Sequence, residues 1–224
     1  MIQVKSILLG LGLLASAGLA QAAPITLFGD RFSVTYDDTQ TGLLGAGLLS
    51  GSLDTLYFQP TAFSVFSAGG AASVSTALQF TVAVDAGYIL DGLGLRQWGN
   101  YFLSGGGSTG ASANLQLVDA GTLAAAALAL APAGSLNAAG GTLGWEMAGF
   151  LAAPAGAGQV FQVNFDSTLV GNPANGIGFI QDNYAGFRIA TRPAAVPEPS
   201  GLALLLAGSL AAFAIGARRV RQRN

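Results

Sequence analysis

The 224-residue chain contains no cysteine and no histidine, and its one lysine is Lys5. It therefore lacks the thiol nucleophile, the commonest general base and the usual ligands of transition metals. Because disulfides cannot form, a folded domain must be stabilised by packing and by backbone pairing. We expect no catalytic residue, no metal site and no cofactor.

Charged residues are also scarce, at 9% of the chain. Residues 23–195 contain four arginines and ten acidic side chains, so their formal charge is 4 − 10 = −6. Binding to nucleic acid requires clustered basic side chains that replace counterions around the phosphates. The composition excludes DNA and RNA as partners.

Residues 1–22 have the three parts of a secretory signal peptide. Lys5 precedes an apolar run from Ile7 to Leu19, and Ala20 and Ala22 place small residues at the two positions that signal peptidase reads. The apolar run is short for a membrane span. The segment predicts Sec-dependent export and cleavage after Ala22; the alternative is an uncleaved N-terminal membrane helix.

A second apolar segment, residues 200–217, carries no charged side chain. As a helix, Gly201 to Ala217 would be roughly 25 Å long, close to the ~30 Å thickness of the hydrocarbon layer. The basic residues that follow it are Arg218, Arg219, Arg221 and Arg223. An excess of arginine favours the cytoplasmic side, so the pattern predicts a transmembrane helix, a cytoplasmic tail at 218–224 and a domain outside the inner membrane.

Residues 192–199 form a predicted linker that ends in Val196, Pro197, Glu198 and Pro199. A residue that precedes proline is disfavoured in the helical region, so Val196 and Glu198 are expected to be extended. An extended segment just outside a membrane is accessible to a processing enzyme. It is equally compatible with a stiff spacer in front of an ordinary membrane anchor.

The Val-Pro-Glu-Pro motif, the helix at 200–217 and the basic end together resemble the PEP-CTERM sorting signal of Gram-negative bacteria. This resemblance implies recognition by an exosortase, an integral membrane enzyme of the cysteine-protease type, in bacteria that usually make exopolysaccharide. It implies anchoring in the inner membrane and then transfer to the cell surface or the extracellular matrix. The resemblance covers only residues 196–224 and implies no activity for the domain before them.

Residues 23–191 are expected to form one all-β domain. The clearest strand is Ser73 to Asp85, where apolar and polar residues alternate and only Thr76 is out of phase. Other predicted strands are 28–36, 53–59, 61–67, 88–98, 113–119, 142–150, 159–166, 177–180 and 187–190, while 123–131 fits a helix or a strand. Glycine-rich residues 105–110 and 171–178 are predicted turns. Many short strands without a long helix predict an antiparallel, jelly-roll-like β-sandwich.

Aromatic residues supply one candidate binding surface in this domain. They are Trp98, Tyr101, Trp145 and Tyr184. Aromatic faces suit sugar rings, and a sugar-binding platform would agree with a matrix role. Packing in the core is the alternative for most of these side chains.

Carboxylates supply the remaining candidates. Glu146, next to Trp145, is the most suggestive group for a glycan hydrolase that uses two carboxylates. Asp37 and Asp38, with Asp30, have the chemistry of Ca²⁺ ligands, although hydrogen bonds within a turn explain them as well. We interpret the protein as a non-enzymatic, structural or glycan-associated surface component. The alternatives are an unprocessed, membrane-anchored periplasmic binding protein and a secreted hydrolase.

Overall fold

A computed structural model, which describes residues 24–195, shows that this part of the chain is built almost entirely from β-strands. Two short 3-10 turns, Asp38–Gln40 and Gly42–Leu44, are its only helical segments. The strands are β1 (Pro24–Phe28), β2 (Phe32–Asp37), β3 (Gly47–Leu49), β4 (Thr55–Phe58), β5 (Ser64–Ala68), β6 (Ala72–Val84), β7 (Tyr88–Leu103), β8 (Gly107–Asp119), β9 (Ala125–Leu130), β10 (Thr142–Ala152), β11 (Val160–Pro173) and β12 (Ile177–Pro193). The all-β prediction is confirmed.

The strands form two antiparallel sheets. The first sheet has the order β1-β2-β6-β11-β8-β9, and the second has the order β10-β7-β12-β4-β3, with β5 also paired to β12. Within them, the four-stranded sets β6-β11-β8-β9 and β4-β12-β7-β10 have the strand order of a jelly roll. The hairpin β1-β2 and the strand β3 extend the edges of this arrangement.

The core lies between the two sheets and is filled by their inward-facing side chains. Phe187 of β12 contacts Phe80 and Phe165 of the opposite sheet, with ring centroids 5.2 and 5.0 Å apart. It also contacts Phe58 of β4 at 6.2 Å. Edge-to-face contacts of this kind add to the apolar area that the sandwich buries.

Thr76, the residue that is out of phase in β6, is buried. Its Oγ1 accepts a hydrogen bond of 3.0 Å from the main-chain N–H of Leu43. The buried hydroxyl is therefore satisfied, and it attaches the second 3-10 turn to the sheet. The polar residue serves the fold without interrupting the strand.

The predicted single strand at 28–36 is instead the hairpin β1-β2. Gly29 to Arg31 form its turn, and Arg31 adopts a φ of 72°. A single strand at 28–36 would place Phe28 and Phe32 on one face, and this is wrong because the turn separates them. Phe28 is 75% exposed, whereas Phe32 is buried.

Several strands are longer than their sequence pattern indicates. β7 extends to Leu103, beyond the predicted end at residue 98, and it passes through Gly92, where a Cβ would be 2.2 Å from the carbonyl oxygen of Leu151 on β10. β8 begins at Gly107 and β11 ends at Pro173, so most of each predicted glycine-rich turn is strand. The ambiguous segment 123–131 contains strand β9. β12 ends at Pro193, two residues beyond the predicted end of the domain.

The predicted signal peptide with Ala20 and Ala22, the motif 196–199, the helix 200–217 and the basic tail lie outside the described residues. Among residues 24–195, no helix has the length and apolarity needed to cross a membrane.

Candidate functional site

Three aromatic side chains form a row across the outer face of the second sheet. This aromatic row consists of Tyr57 of β4, Tyr184 of β12 and Trp98 of β7. The ring centroids of Tyr57 and Tyr184 are 5.8 Å apart with planes at 17°, and those of Tyr184 and Trp98 are 5.9 Å apart with planes at 15°. Because the three strands are neighbours, the spacing follows from the sheet itself. Trp98 is 39% exposed and both tyrosines are partly exposed.

An irregularity in β12 brings Tyr184 to the outer face. Asp182 and Ala185 are both buried, so two residues stand between inward-facing positions where a regular strand has one. This is the geometry of a bulge, which re-aims a side chain. The main-chain N–H of Tyr184 donates a hydrogen bond of 3.1 Å to Oδ1 of Asp182 and fixes the irregularity.

The absence of a side chain at Gly186 makes room for the ring of Tyr184. A Cβ at this position would lie 2.4 Å from the phenol oxygen and 2.6 Å from Cε1 of Tyr184. Gly186 is also the residue that pairs with Tyr57 on β4. The Tyr184 ring therefore lies over the backbone beside Tyr57, and a glycine is required beneath it.

Arg96 of β7 and Arg188 of β12, on two strands of the aromatic row, each form an ion pair with a carboxylate from outside these strands. Nε of Arg96 is 2.8 Å from Oε1 of Glu146, and Nε of Arg188 is 3.5 Å from Oδ2 of Asp54. The hydrogen bond with Glu146 raises the pKa of the Arg96 guanidinium. Burial raises the pKa of the Tyr184 phenol, and the positive charge of Arg96 opposes this shift. Each of these two arginines therefore has a carboxylate partner.

A shallow depression of about 400 Å³ adjoins Trp98. Arg96, Asn100, Gly144 and Glu146 contribute to its lining. The depression beside the indole of Trp98 therefore contains an amide, a guanidinium and a carboxylate. Such a combination of an apolar surface with a few polar groups is typical of ligand sites.

Asp182 itself is fully buried on the core side of β12. Its Oδ2 accepts a hydrogen bond of 2.7 Å from Nε2 of Gln97, which also donates to Oγ of Ser167 in the opposite sheet at 3.2 Å. Burial raises the pKa of the Asp182 carboxyl to about 7, although hydrogen bonds from the Tyr184 main chain and from Gln97 act in the opposite direction. A polar network therefore supports the strand that carries Tyr184.

The structure brings together two of the four aromatic residues of the predicted platform, Trp98 and Tyr184. Tyr101 and Trp145 are buried in the core, as the alternative interpretation expected. The third ring of the row, Tyr57, was missed. The sequence of β4, Thr-Leu-Tyr-Phe, contained one signal for it, because a strand that buries Leu56 and Phe58 must point Tyr57 outward.

Two of the candidate carboxylates, Glu146 and Asp37, have structural partners. Glu146 is exposed and paired with Arg96. Asp37 accepts hydrogen bonds from the main-chain N–H and the hydroxyl of Thr39, at 2.9 and 2.6 Å, and so caps the first 3-10 turn. Residues 24–195 contain no cluster of three or more acidic side chains that would hold a metal ion.

No protein-family model matches the chain. No curated protein matches it either. Among solved structures, it is similar to the CBM22-1 and GH10 modules of Clostridium thermocellum endo-1,4-β-D-xylanase 10B complexed with xylohexaose, with 12% identity and a TM-score of 0.27 over 56% of this chain and 26% of that one.

Two further solved structures are similar to parts of the chain. TmCBM61 in complex with β-1,4-galactotriose has 12% identity and a TM-score of 0.22, over 71% of this chain and 89% of that one. The enzymatically active domain of tailspike protein 4 from bacteriophage CBA120 has 15% identity and a TM-score of 0.24, over 75% of this chain and 19% of that one. The chain spans about a quarter of the xylanase chain and a fifth of the tailspike chain.

Proposed function

We propose that the protein is an exported, glycan-binding component of the cell surface or extracellular matrix. The aromatic row on the outer face of the second sheet is the observation that carries the binding function. The tripartite sequence at residues 196–224 supports delivery as a PEP-CTERM protein, with an exosortase, the Sec machinery and signal peptidase as partners.

The chemistry of the row matches that of a sugar chain. A pyranose ring has apolar C–H faces and a rim of hydroxyl groups, so it needs apolar surfaces with polar groups at their edges. The rings of Tyr57, Tyr184 and Trp98 combine an apolar body with an O–H or N–H at one end. Because the three rings lie across three adjacent strands, they suit successive sugar units of one chain.

Charge distinguishes this ligand from a nucleic acid, whose bases also stack on aromatic rings. Single-stranded nucleic acids bind aromatic residues within a positively charged groove. The three arginines of the second sheet, Arg96, Arg188 and Arg192, are paired with Glu146, Asp54 and Asp91, so they leave no excess of positive charge. A neutral polyhydroxylated ligand fits the row better than a polyanion does.

The protein acts in this proposal by binding and not by catalysis. A glycan hydrolase holds two carboxyl groups on either side of the scissile bond. On the face of the aromatic row, Glu146 is engaged by Arg96, and Asp54 accepts hydrogen bonds from Ser52 at 2.6 Å and Thr55 at 2.8 Å. Both carboxylates hold neighbouring side chains in place.

Affinity electrophoresis of the full chain, purified in detergent, against a panel of polysaccharides tests the binding function. We expect Trp98→Ala to weaken binding at least about tenfold, since one aromatic contact is removed from the row. Phe150→Ala is the matched control, because Phe150 is an exposed aromatic of the same sheet outside the row. Equal losses in both variants, or no loss in Trp98→Ala, would contradict the proposal.

Intact-mass spectrometry of the extracellular protein tests the sorting function. We expect the segment from Ser200 onward to be absent from the released protein, and a Glu198→Ala variant to remain in the inner membrane. If the released protein keeps this segment, exosortase processing is wrong. Retention of the whole pool in the membrane with no released form would favour the unprocessed anchor.

A further inference from the structure

The outer face of the first sheet is almost free of charge. Its six strands contain no lysine, arginine or glutamate. They contain three aspartates, of which Asp119 is buried and Asp37 stands at the end of β2. Asp166 of β11 is therefore the one charged group in the middle of this face. Arg96, Arg188 and Arg192 lie on strands of the second sheet, and Arg31 lies in the turn between β1 and β2.

Three amide side chains cross the middle of this face and form what we call the amide ladder. Nε2 of Gln79 on β6 donates a hydrogen bond of 2.9 Å to Oδ1 of Asn164 on β11. Nδ2 of Asn164 donates one of 3.2 Å to Oε1 of Gln116 on β8. The three residues are direct cross-strand partners, so the ladder is fixed by the register of the sheet.

The ladder leaves hydrogen-bonding groups free at both ends. Among the described residues, no side-chain hydrogen bond engages Oε1 of Gln79 or Nε2 of Gln116. One end of the ladder therefore offers an acceptor and the other offers donors. A ligand that carries many hydroxyl groups can satisfy both, because each hydroxyl donates and accepts.

Two shallow depressions, of about 350 and 440 Å³, lie on either side of Asn164 and Asp166, which line both of them. Ala77 lines the first, and Ala127 and Ala129 line the second. The short alanine side chains form the apolar bottom of each depression, and the longer amide side chains form its polar sides. The two depressions adjoin along a line that runs across β6, β11, β8 and β9.

We infer that this face is a second glycan-binding site, and that its ligand is an uncharged polysaccharide. The face has no cation for phosphate, sulfate or carboxylate groups, and so it does not suit a polyanion. Protein interfaces are centred on aromatic, methionine or arginine side chains, and peripheral membrane contacts use large apolar or basic ones. The amide ladder and the alanine side chains beside it include no aromatic, methionine, basic or large apolar side chain.

The two glycan-binding faces lie on opposite sides of one sandwich, since each is the outer face of its sheet. One molecule can therefore hold two polysaccharide chains and cross-link them. The cross-linking part of the inference rests on the function proposed for the aromatic row. The amide-ladder site stands on its own residues.

The test uses the full chain in detergent with three neutral polysaccharides, dextran, galactomannan and a soluble β-glucan, and with alginate as a polyanion. The ladder variant carries Gln79→Ala, Asn164→Ala and Gln116→Ala. The matched control carries Thr26→Ala and Thr35→Ala, which removes another exposed cross-strand hydrogen bond, of 2.9 Å, on the same sheet. The single variant Asn164→Ser checks the result with a smaller change.

Affinity electrophoresis and the viscosity of the polysaccharide solution at low shear are the two readouts. We expect the ladder variant to bind at least one neutral polysaccharide about tenfold or more weakly than the control does. Asn164→Ser should give a smaller loss in the same direction. The unmodified chain should raise the viscosity, and both the ladder variant and Trp98→Ala should abolish the rise.

The outcomes separate the two sites. If Trp98→Ala removes all binding and the ladder variant behaves like its control, the second site is wrong and the aromatic row stands. If the ladder variant alone loses binding, the row fails and the second site stands. Binding to alginate but to no neutral polysaccharide, or to none of the four, overturns the inference.

Discussion

The carboxylate of Asp182 accepts a hydrogen bond of 2.7 Å from Gln97, and neither side chain is exposed to solvent. Gln97 continues the contact to Ser167, so a polar link crosses the core between the two sheets. Buried polar groups are costly unless their hydrogen bonds are made. A change of pH or a mutation at this link should therefore change the stability of the whole domain.

The first prediction concerns pH. The pKa of Asp182 is raised from 3.8 to about 7 by burial, so the folded state prefers the neutral carboxyl. This preference stabilises the folded state fully below the pKa of the unfolded chain, 3.8, and the stabilisation is lost as the pH rises through about 7. Its upper limit is about 4 kcal/mol. Chemical denaturation at a series of pH values measures this fall.

Two variants test the assignment to Asp182. Asp182→Asn removes the ionisable group, so the fall in stability over this pH range should disappear. Ser167→Ala alters the same network without removing the carboxyl, so the protein should be less stable while the pH dependence persists. A pH dependence that survives in Asp182→Asn would show that another group is responsible.

The second prediction concerns Asp119, which joins two loops. Its carboxylate accepts hydrogen bonds from the main-chain N–H groups of Gly121 at 2.8 Å, Thr122 at 2.7 Å and Gly158. These bonds, with that from Thr122 the largest cause, lower the pKa of Asp119, so the stabilisation is lost as the pH falls. Asp119→Ala should lower the melting temperature.

Hydrogen exchange provides the specific readout for this contact. The amide of Gly158 should exchange faster in Asp119→Ala because its acceptor has been removed. Asp85→Ala, which changes an exposed aspartate in another turn, is the control and should leave that amide unchanged. Equal protection of Gly158 in both variants would contradict the proposed link between the loops.

The third prediction uses Gly186 to displace one ring of the aromatic row. A methyl group there would overlap the ring of Tyr184, which must then leave its place between Tyr57 and Trp98. We expect Gly186→Ala to weaken glycan binding about three- to tenfold. Gly110→Ala, at a strand glycine of the first sheet with no atom closer than 4.0 Å to the new Cβ, should bind normally.

The fourth prediction concerns Gly99, where two strands approach closely. A Cβ there would lie 1.9 Å from the carbonyl oxygen of Gln181, which also accepts a hydrogen bond of 3.1 Å from Nε1 of Trp145. The backbone has no room to yield, so Gly99→Ala should lower the free energy of unfolding by about 3 kcal/mol in urea denaturation. Gly110→Ala, with its nearest contact at 4.0 Å, should have a much smaller effect.

The sequence predicted those parts of the fold where burial alternates regularly. β6 is the clearest case, and its strand period led directly to the buried set of Leu78, Phe80 and Val82. The prediction from sequence was wrong where contacts with distant parts of the chain decide the backbone conformation. The turn before Phe32 depends on a positive φ at Arg31, which has no signature in its residue type, and on a hydrogen bond from the main-chain N–H of Asp30 to the carbonyl oxygen of Leu53.

The candidate site was predicted in part for the same reason. Residue type identified Trp98 and Tyr184 as aromatic candidates, but Tyr101 and Trp145 have the same chemistry and point into the core. Which aromatic residues face outward depends on strand phase, and the bulge at Tyr184 changes that phase. The row itself depends on the order of strands in the sheet, and local sequence does not contain that order.

Strand β12 runs from Ile177 to Pro193 in the interior of the second sheet, with β7 on one side and β4 and β5 on the other. The load of interest is a pull at Pro193 that is directed along the axis of this strand. Its backbone hydrogen bonds are then loaded in shear and must break together instead of opening one by one. A domain held from this end would withstand the traction of flowing water or of a swelling gel far better than one held through an edge strand.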